Sequence, residues 1–224
     1  MTTVLTYIYS ILQTADSTVF LTVNSLHNNY FDSVMWFISG KMIWIPMYAS
    51  LLFVLLKNYP YKVVLKILLA MGIIFFFTDC FTSQVIRPWV CRLRPSNLDN
   101  PISHMVHIVD GYRGGRCGFP SNHASNTWGL VFFMAYLLRN VWLTCFLSLW
   151  ALVVCYSRMY LGVHYLGDLL MGILLAFIIT STVFYILKTK NKIQFQAKHY
   201  PYIPISVGSS IFLGIIIVSI FYRI

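Results

Sequence analysis

Glutamate is absent from this chain. Its six acidic residues are all aspartate (Asp16, Asp32, Asp79, Asp99, Asp110 and Asp168), and charged residues make up only 10% of the 224. A soluble domain carries about 25%, so this sequence lacks the polar groups to cover a water-facing surface. The same scarcity excludes a coiled coil and a disordered chain, both of which need more charge. Five cysteines without metal-ligand spacing exclude a secreted disulfide scaffold. They read as small apolar side chains, Cys145 and Cys155 within apolar runs, with a Cys91–Cys117 bridge as the alternative if their loop faces an oxidising compartment. No Lys or Arg precedes Lys41, so the charged start of a removable signal peptide is missing and the segment is expected to be retained. No internal repeat is evident.

What the chain has is apolar length. Hydrophobic residues reach 58%, and nearly uncharged runs cover 42–56, 63–82, 124–138, 141–156, 166–187 and 203–222. Each approaches the roughly 20 residues needed to cross about 30 Å of hydrocarbon. The fold class this predicts is an all-α polytopic membrane bundle with six transmembrane helices, residues 42–224 forming one membrane domain. Before it, Val4, Leu5, Ile8, Ile11 and Leu12 recur at helical spacing, as do Phe31, Val34, Met35 and Ile38, while Asp16 and Asp32 interrupt any spanning run. Residues 1–41 are therefore expected to form interfacial amphipathic helices, with one further span as the alternative.

The net charge is +10, from 16 Lys and Arg against 6 acids. Nucleic acid would need a solvated basic face, for which the apolar excess leaves no room, so bilayer lipids are the expected partner, with no obligate protein partner. The basic residues sort by type. Lys57, Lys62, Arg139, Lys188, Lys190, Lys192 and Lys198 occupy one set of loops; Arg87, Arg92, Arg94, Arg113 and Arg116 occupy the other, with Asp99 and Asp110. Lysines at span ends are what positive-inside anchoring selects, which puts the first set in the cytoplasm. Arginines on the far side then call for another role, and binding a planar oxyanion fits their forked donors.

Three segments on that side carry chemistry: Arg87 to Pro95, Phe119-Pro-Ser-Asn-His123, and Ser157-Arg158 through His164 to Asp168. Arg87, Arg94 and Arg158 match the non-bridging oxygens of a phosphate. Ser121 reads as a helix N-cap, which would aim its hydroxyl and the amides of Asn122 and His123 at an anion. His164 and Asp168 are four apart, so the carboxylate can orient the imidazole as a nucleophile. His123 would protonate the departing alkoxide. Taken singly, each arginine reads better as an interfacial anchor, and each histidine as readily as a structural residue; their order and common membrane face favour a shared pocket. A Ser121–His164–Asp168 hydrolase triad fits less well, since three arginines suit a dianion better than a neutral carbonyl. A zinc site from His104, His107 and His123 lacks a tight ligand pattern.

These segments resemble the three signature motifs of the type 2 phosphatidic acid phosphatase superfamily of integral membrane lipid phosphatases: Lys-x6-Arg-Pro, Pro-Ser-Gly-His and Ser-Arg-x5-His-x3-Asp. The resemblance implies His164 as a nucleophile passing through a phosphohistidine, Asp168 as its orienting partner, His123 as the acid, and Arg87, Arg94, Ser121, Asn122 and Arg158 as phosphate ligands. It also implies a reaction without metal or cofactor, and a six-span core with its site at the outer face of a bacterial inner membrane. Its substrates would be lipid phosphates: undecaprenyl diphosphate, a lipid A phosphate, phosphatidylglycerol phosphate or phosphatidic acid. Arg87 stands where the first motif has Lys, and Asn122 where the second has Gly. The loop from Leu98 to Phe119, with four glycines, is expected to act as a lid. A lipid-binding or transport protein without chemistry is the competing reading.

Overall fold

The computed structural model describes residues 2–191 and 199–222; Lys192 and Lys198 lie outside them, as do the side chains of Val4, Leu5 and Ile8. The regular elements among the described residues are all helices: α1 (Thr2–Asn24), α2 (Asn29–Ser39), α3 (Ile45–Asn58), α4 (Tyr61–Phe75), α5 (Arg87–Val90), α6 (Asn122–Leu138), α7 (Val141–Tyr160), α8 (Leu166–Asn191) and α9 (Ile203–Phe221). A π-helical stretch, Phe76–Ile86, joins α4 to α5 in one continuous helix. The helix starts follow from the sequence. Asn28, Ser121 and Asn140 cap α2, α6 and α7 through side-chain oxygens, and proline occupies the first turn of α3 and α9.

Tyr61–Val90, α7, α8 and α9 are each long and apolar enough to cross a bilayer, and α2 with Met42–Asn58 makes a fifth if the pair, bent by 66°, counts as one span. The chain is thus a polytopic helical membrane protein. The remaining expected span is α6, whose 17 residues rise about 26 Å, short of the roughly 30 Å of hydrocarbon. It begins two residues before the expected run, where Ser121 caps it. Its buried face, from Ala124 to Leu138, makes it the central helix.

Lipid tails are as apolar as leucine, so the helices associate through close packing. Gly172 of α8 shows how close: a Cβ there would stand 2.7 Å from the Ser121 carbonyl and 3.0 Å from the Ala124 Cβ. On the opposite side Trp44, Trp150 and Phe212 interlock edge-on, and the Trp44 indole donates to the Ile38 carbonyl at 3.0 Å, fixing the bend after α2. The N-terminal helices pack on this bundle. Phe20 of α1 is fully buried and meets Tyr165 edge-on at 5.4 Å.

The two loop sets separate to opposite ends. Asn58 donates to the His199 carbonyl at 2.9 Å and Tyr59 to that of Leu137 at 2.6 Å, gathering the lysine loops. At the other end Arg94 reaches the Val163 carbonyl at 3.1 Å and the Ser121 amide that of Asp168 at 3.0 Å, gathering the arginine segments. Cys91 and Cys117 are bonded to each other rather than packed as free apolar side chains, and Leu93 pairs with Cys117 across the same link.

Candidate active site

His164 lies just before α8 rather than on its first full turn, and is 1% exposed. Asp168, in the first turn, accepts the backbone N–H of Tyr165 at 3.0 Å through Oδ2, the reciprocal half of a capping box. The same oxygen faces His164 Nδ1 at 3.4 Å, a distance that leaves room to tighten when charge develops on the ring. With Nδ1 turned to the carboxylate, Nε2 is turned to the arginines and lies 3.3 Å from Arg94 Nη1. Gly118 permits this approach: a Cβ there would meet Arg94 Cγ and Asp168 Oδ2 at 3.1 Å and His164 Nδ1 at 3.4 Å.

The arginines converge from three elements. Arg94 is held by Val163, Arg158 donates to the hydroxyls of Ser39 and, at 3.3 Å, Tyr112, and Arg87 donates to the Pro120 carbonyl at 2.9 Å and Asn122 Oδ1 at 2.5 Å. All three act electrostatically on His164. In each of them Nε is buried and has no hydrogen-bond partner among the described residues. A buried charged donor left unpaired is costly, and the three guanidiniums concentrate positive charge at one imidazole, a field that favours an oxyanion. Burial pushes the Arg94 guanidinium down to about 10, helped by the neighbouring Arg158 and Arg87, which still leaves it charged at neutral pH. Burial, then Arg94, Arg158 and Arg87, hold the His164 imidazole well below its ordinary range, which favours its neutral form. Burial alone would raise the Tyr112 phenol, but Arg158 and Arg94 pull it below its usual value.

The other sequence-predicted residues gather here too. Ser121 caps α6, its hydroxyl accepting the Ala124 amide at 3.5 Å. His123 follows in the first turn, within electrostatic reach of Arg158, His164, Lys41 and Arg94. Asn122 has its side chain engaged: Oδ1 takes Arg87 and Nδ2 donates to the Asp79 carboxylate and, at 3.3 Å, to the Asp79 carbonyl, so it anchors Arg87 to the π-helical stretch. The Leu98–Phe119 loop is pinned at its base by paired Ser96–Arg113 hydrogen bonds of 2.7 Å and packs onto Arg94 at Gly114.

Several contributors escaped the sequence reading. Ser39 and Tyr112 hold Arg158, and nothing in their local pattern marks them. Asp16 and Arg92 leave a signal that could have found them, since a lone acid in an apolar helix needs a cationic partner. Beside the site, a cavity of about 570 Å³ runs between α3, α4 and α6, lined by Leu51, Leu55, Ile67, Met71 and Leu130, with His123 and Lys41 also on its wall.

The family model described as the PAP2 superfamily matches residues 63–192. Among curated proteins, the chain is 47% identical over 161 residues to the lipid A 4'-phosphatase of Bacteroides thetaiotaomicron, covering 72% of each, and 34% identical over 168 residues to that of Porphyromonas gingivalis, covering 74% of this chain and 70% of the relative. Among solved structures, Aquifex aeolicus LpxE aligns with a TM-score of 0.56 at 18% identity, over 75% of this chain and 93% of that one. The PAP2-type phosphatidylglycerolphosphate phosphatase of Bacillus subtilis aligns with 0.58 at 22%, over 82% and 90%. These share the fold, and the matched residues 63–192 contain the arginine segments, Ser121, His123, His164 and Asp168: the chain belongs to the PAP2 superfamily.

Proposed function

We propose that the protein is an integral membrane lipid phosphatase that removes the 4'-phosphate of lipid A at the non-cytoplasmic face of a bacterial inner membrane. The observation that carries this reading is the convergence of three guanidiniums, each with a buried, unpartnered Nε, whose charge acts on the single imidazole of His164. Curated relatives named as lipid A 4'-phosphatases support the substrate. The apolar cavity running from His123 into the bundle supports a lipid, since it would house a tail while the phosphate sits among the arginines. The Cys91–Cys117 bond, on the arginine side, supports an oxidising compartment there.

In the proposed reaction His164 Nε2 attacks phosphorus and the bond from phosphorus to the lipid oxygen breaks. Arg87, Arg94 and Arg158 hold the three equatorial oxygens, and the α6 N-terminus at Ser121 faces the same charge. His123 gives its proton to the leaving alkoxide. Asp168 stabilises by its negative charge the positive charge that the phosphorylated imidazole acquires, the Nδ1 proton staying on the ring. Water then attacks the phosphohistidine, His123 recovers a proton from it, inorganic phosphate leaves, and His164 is restored. Every group invoked belongs to the chain, with no metal or cofactor in the step.

The test is phosphate release by purified protein in detergent from lipid A, undecaprenyl diphosphate, phosphatidylglycerol phosphate and phosphatidic acid, with the lipid A product assigned by mass spectrometry. Loss of the 4'-phosphate is expected, and His164→Ala should abolish release while retaining lipid binding. A wild type that binds these lipids and releases phosphate from none would favour the non-catalytic lipid binder instead.

A further inference from the structure

Asp168 carries a second contact that the reaction above does not use. Its Oδ1 accepts Arg92 Nη1 at 3.0 Å, and that same nitrogen stands 2.8 Å from Asp16 Oδ2 on α1. Asp16 is itself fixed, its Oδ1 accepting the Gly167 amide at 3.0 Å in the first turn of α8. Gly167 has to be glycine for this, because a Cβ would stand 2.7 Å from Asp16 Oδ2. The Arg92 guanidinium also lies 4.0 Å over the Tyr165 ring. One cation is thus shared between two carboxylates, only one of which touches the histidine.

From this geometry we infer that Asp16 is a positioning residue for catalysis: it binds half of Arg92 so that Asp168 keeps its negative charge for His164. The inference rests on His164 being the nucleophile. Alone, Arg92 would neutralise Asp168 through Oδ1 and weaken its hold on the imidazole as charge develops. With Asp16 present, the three groups behind His164 sum to one negative charge. Asp16 touches neither phosphate nor tail, so its effect falls on the chemical step. The other groups acting on His164 are Arg87, Arg94 and Arg158, with His123 beside it; Asp16→Asn leaves all four in place.

The experiment is kcat and KM against pH on a lipid phosphate that the wild type hydrolyses, with activity scaled to the monodisperse fraction. Asp16→Asn should lower kcat about 10- to 100-fold, at or below the lower end of a lost acid–base contribution because Asp16 acts only through Asp168, and leave KM within about twofold. It should also move the acid limb of kcat/KM to lower pH, because an uncompensated Arg92 makes His164 harder to protonate. Adding Arg92→Gln should move the limb back up, a sign change that mere loosening of α1 cannot produce. Asp16→Glu, which keeps the charge, should hold the limb in its wild-type place even if kcat falls. An unmoved acid limb in Asp16→Asn, or a shifted one in Asp16→Glu, overturns the inference. A wild type without phosphate release on any lipid defeats the parent reading instead, so the two failures are distinguishable.

Discussion

Among the described residues are two histidine–carboxylate pairs, and their surroundings differ. His164 and Asp168 meet through Nδ1, turn Nε2 towards Arg94, and lie in the field of arginines whose Nε atoms lack partners. His107 and Asp32 meet through Nε2 at 3.0 and 3.1 Å, one to each carboxylate oxygen, and Tyr160 donates to the same Asp32 at 2.6 Å. His27 stacks on His107 at 3.7 Å, and Asn24 accepts the His107 amide at 2.7 Å. The second pair pins the long loop to α2 and the end of α1. A buried pair becomes a site when unsatisfied charge surrounds it, and a clasp when its neighbours satisfy each other.

The sharpest way to break that comparison is to remove each histidine. His164→Ala should lower kcat by about 10⁴-fold or more, as loss of a nucleophile does in a covalent mechanism. His107→Ala should keep kcat within about tenfold and instead lose about 1–3 kcal/mol, read as a fall of several degrees in Tm in detergent. If the two exchanged effects, the assignment of site and clasp would be reversed.

Next in size is the test of the unpartnered arginines. Arg158→Lys keeps the charge but cannot hold Ser39 and Tyr112 with its terminal nitrogens while presenting Nε to an oxyanion. A fall of about 10²- to 10³-fold in kcat/KM is expected, the range for a lost oxyanion donor. A wild-type rate would mean that the orphaned Nε atoms have no role in binding phosphate.

The pair at the site also sharpens the comparison through pH. Burial and the nearby Arg94, Arg158 and Arg87 hold His164 well below its ordinary range. A lowered value means that the neutral nucleophile persists as pH falls through about 6.5, the unperturbed imidazole value, and is lost only further down. The acid limb of kcat/KM should therefore lie below 6.5, and removal of Arg94 charge in Arg94→Met should move it up. A limb at or above 6.5 in the wild type would contradict that electrostatic picture.

Much of this was legible in the sequence, for identifiable reasons. An apolar run long enough to span has one way to satisfy its backbone, so 141–156 and 166–187 lie inside α7 and α8 with ends a few residues further out. The three chemical segments were legible because each is short and carries its own residues. What was hidden is pairing at a distance. Gly167 meets Asp16 across 151 positions, and the run containing Asp16 says only that an acid interrupts it. The π-helical stretch was equally invisible, since its register change depends on what Asp79 and Thr78 meet on α6: the Asn122 side chain and, at 2.7 Å, Asn126. Asn122 itself was legible as a site position but not as the anchor of Arg87.

The smallest expected effect is none, and it separates the site from a metal centre by its donors. Arg87, Arg94 and Arg158 can only donate. Asp168 spends one oxygen on Arg92 and the other on Tyr165 and His164, and Asp79 Oδ1 is taken by Asn122. The imidazoles remain as ligands, and three guanidiniums would repel any divalent cation brought to them. A phosphate dianion is drawn in by the same field. On the proposed mechanism EDTA should therefore leave kcat within about twofold of its untreated value, since the electrophilic assistance that a metal gives elsewhere would come from fixed cations. Loss of activity on chelation, restored by adding back one metal ion, would show that the arginines are not the whole of that assistance.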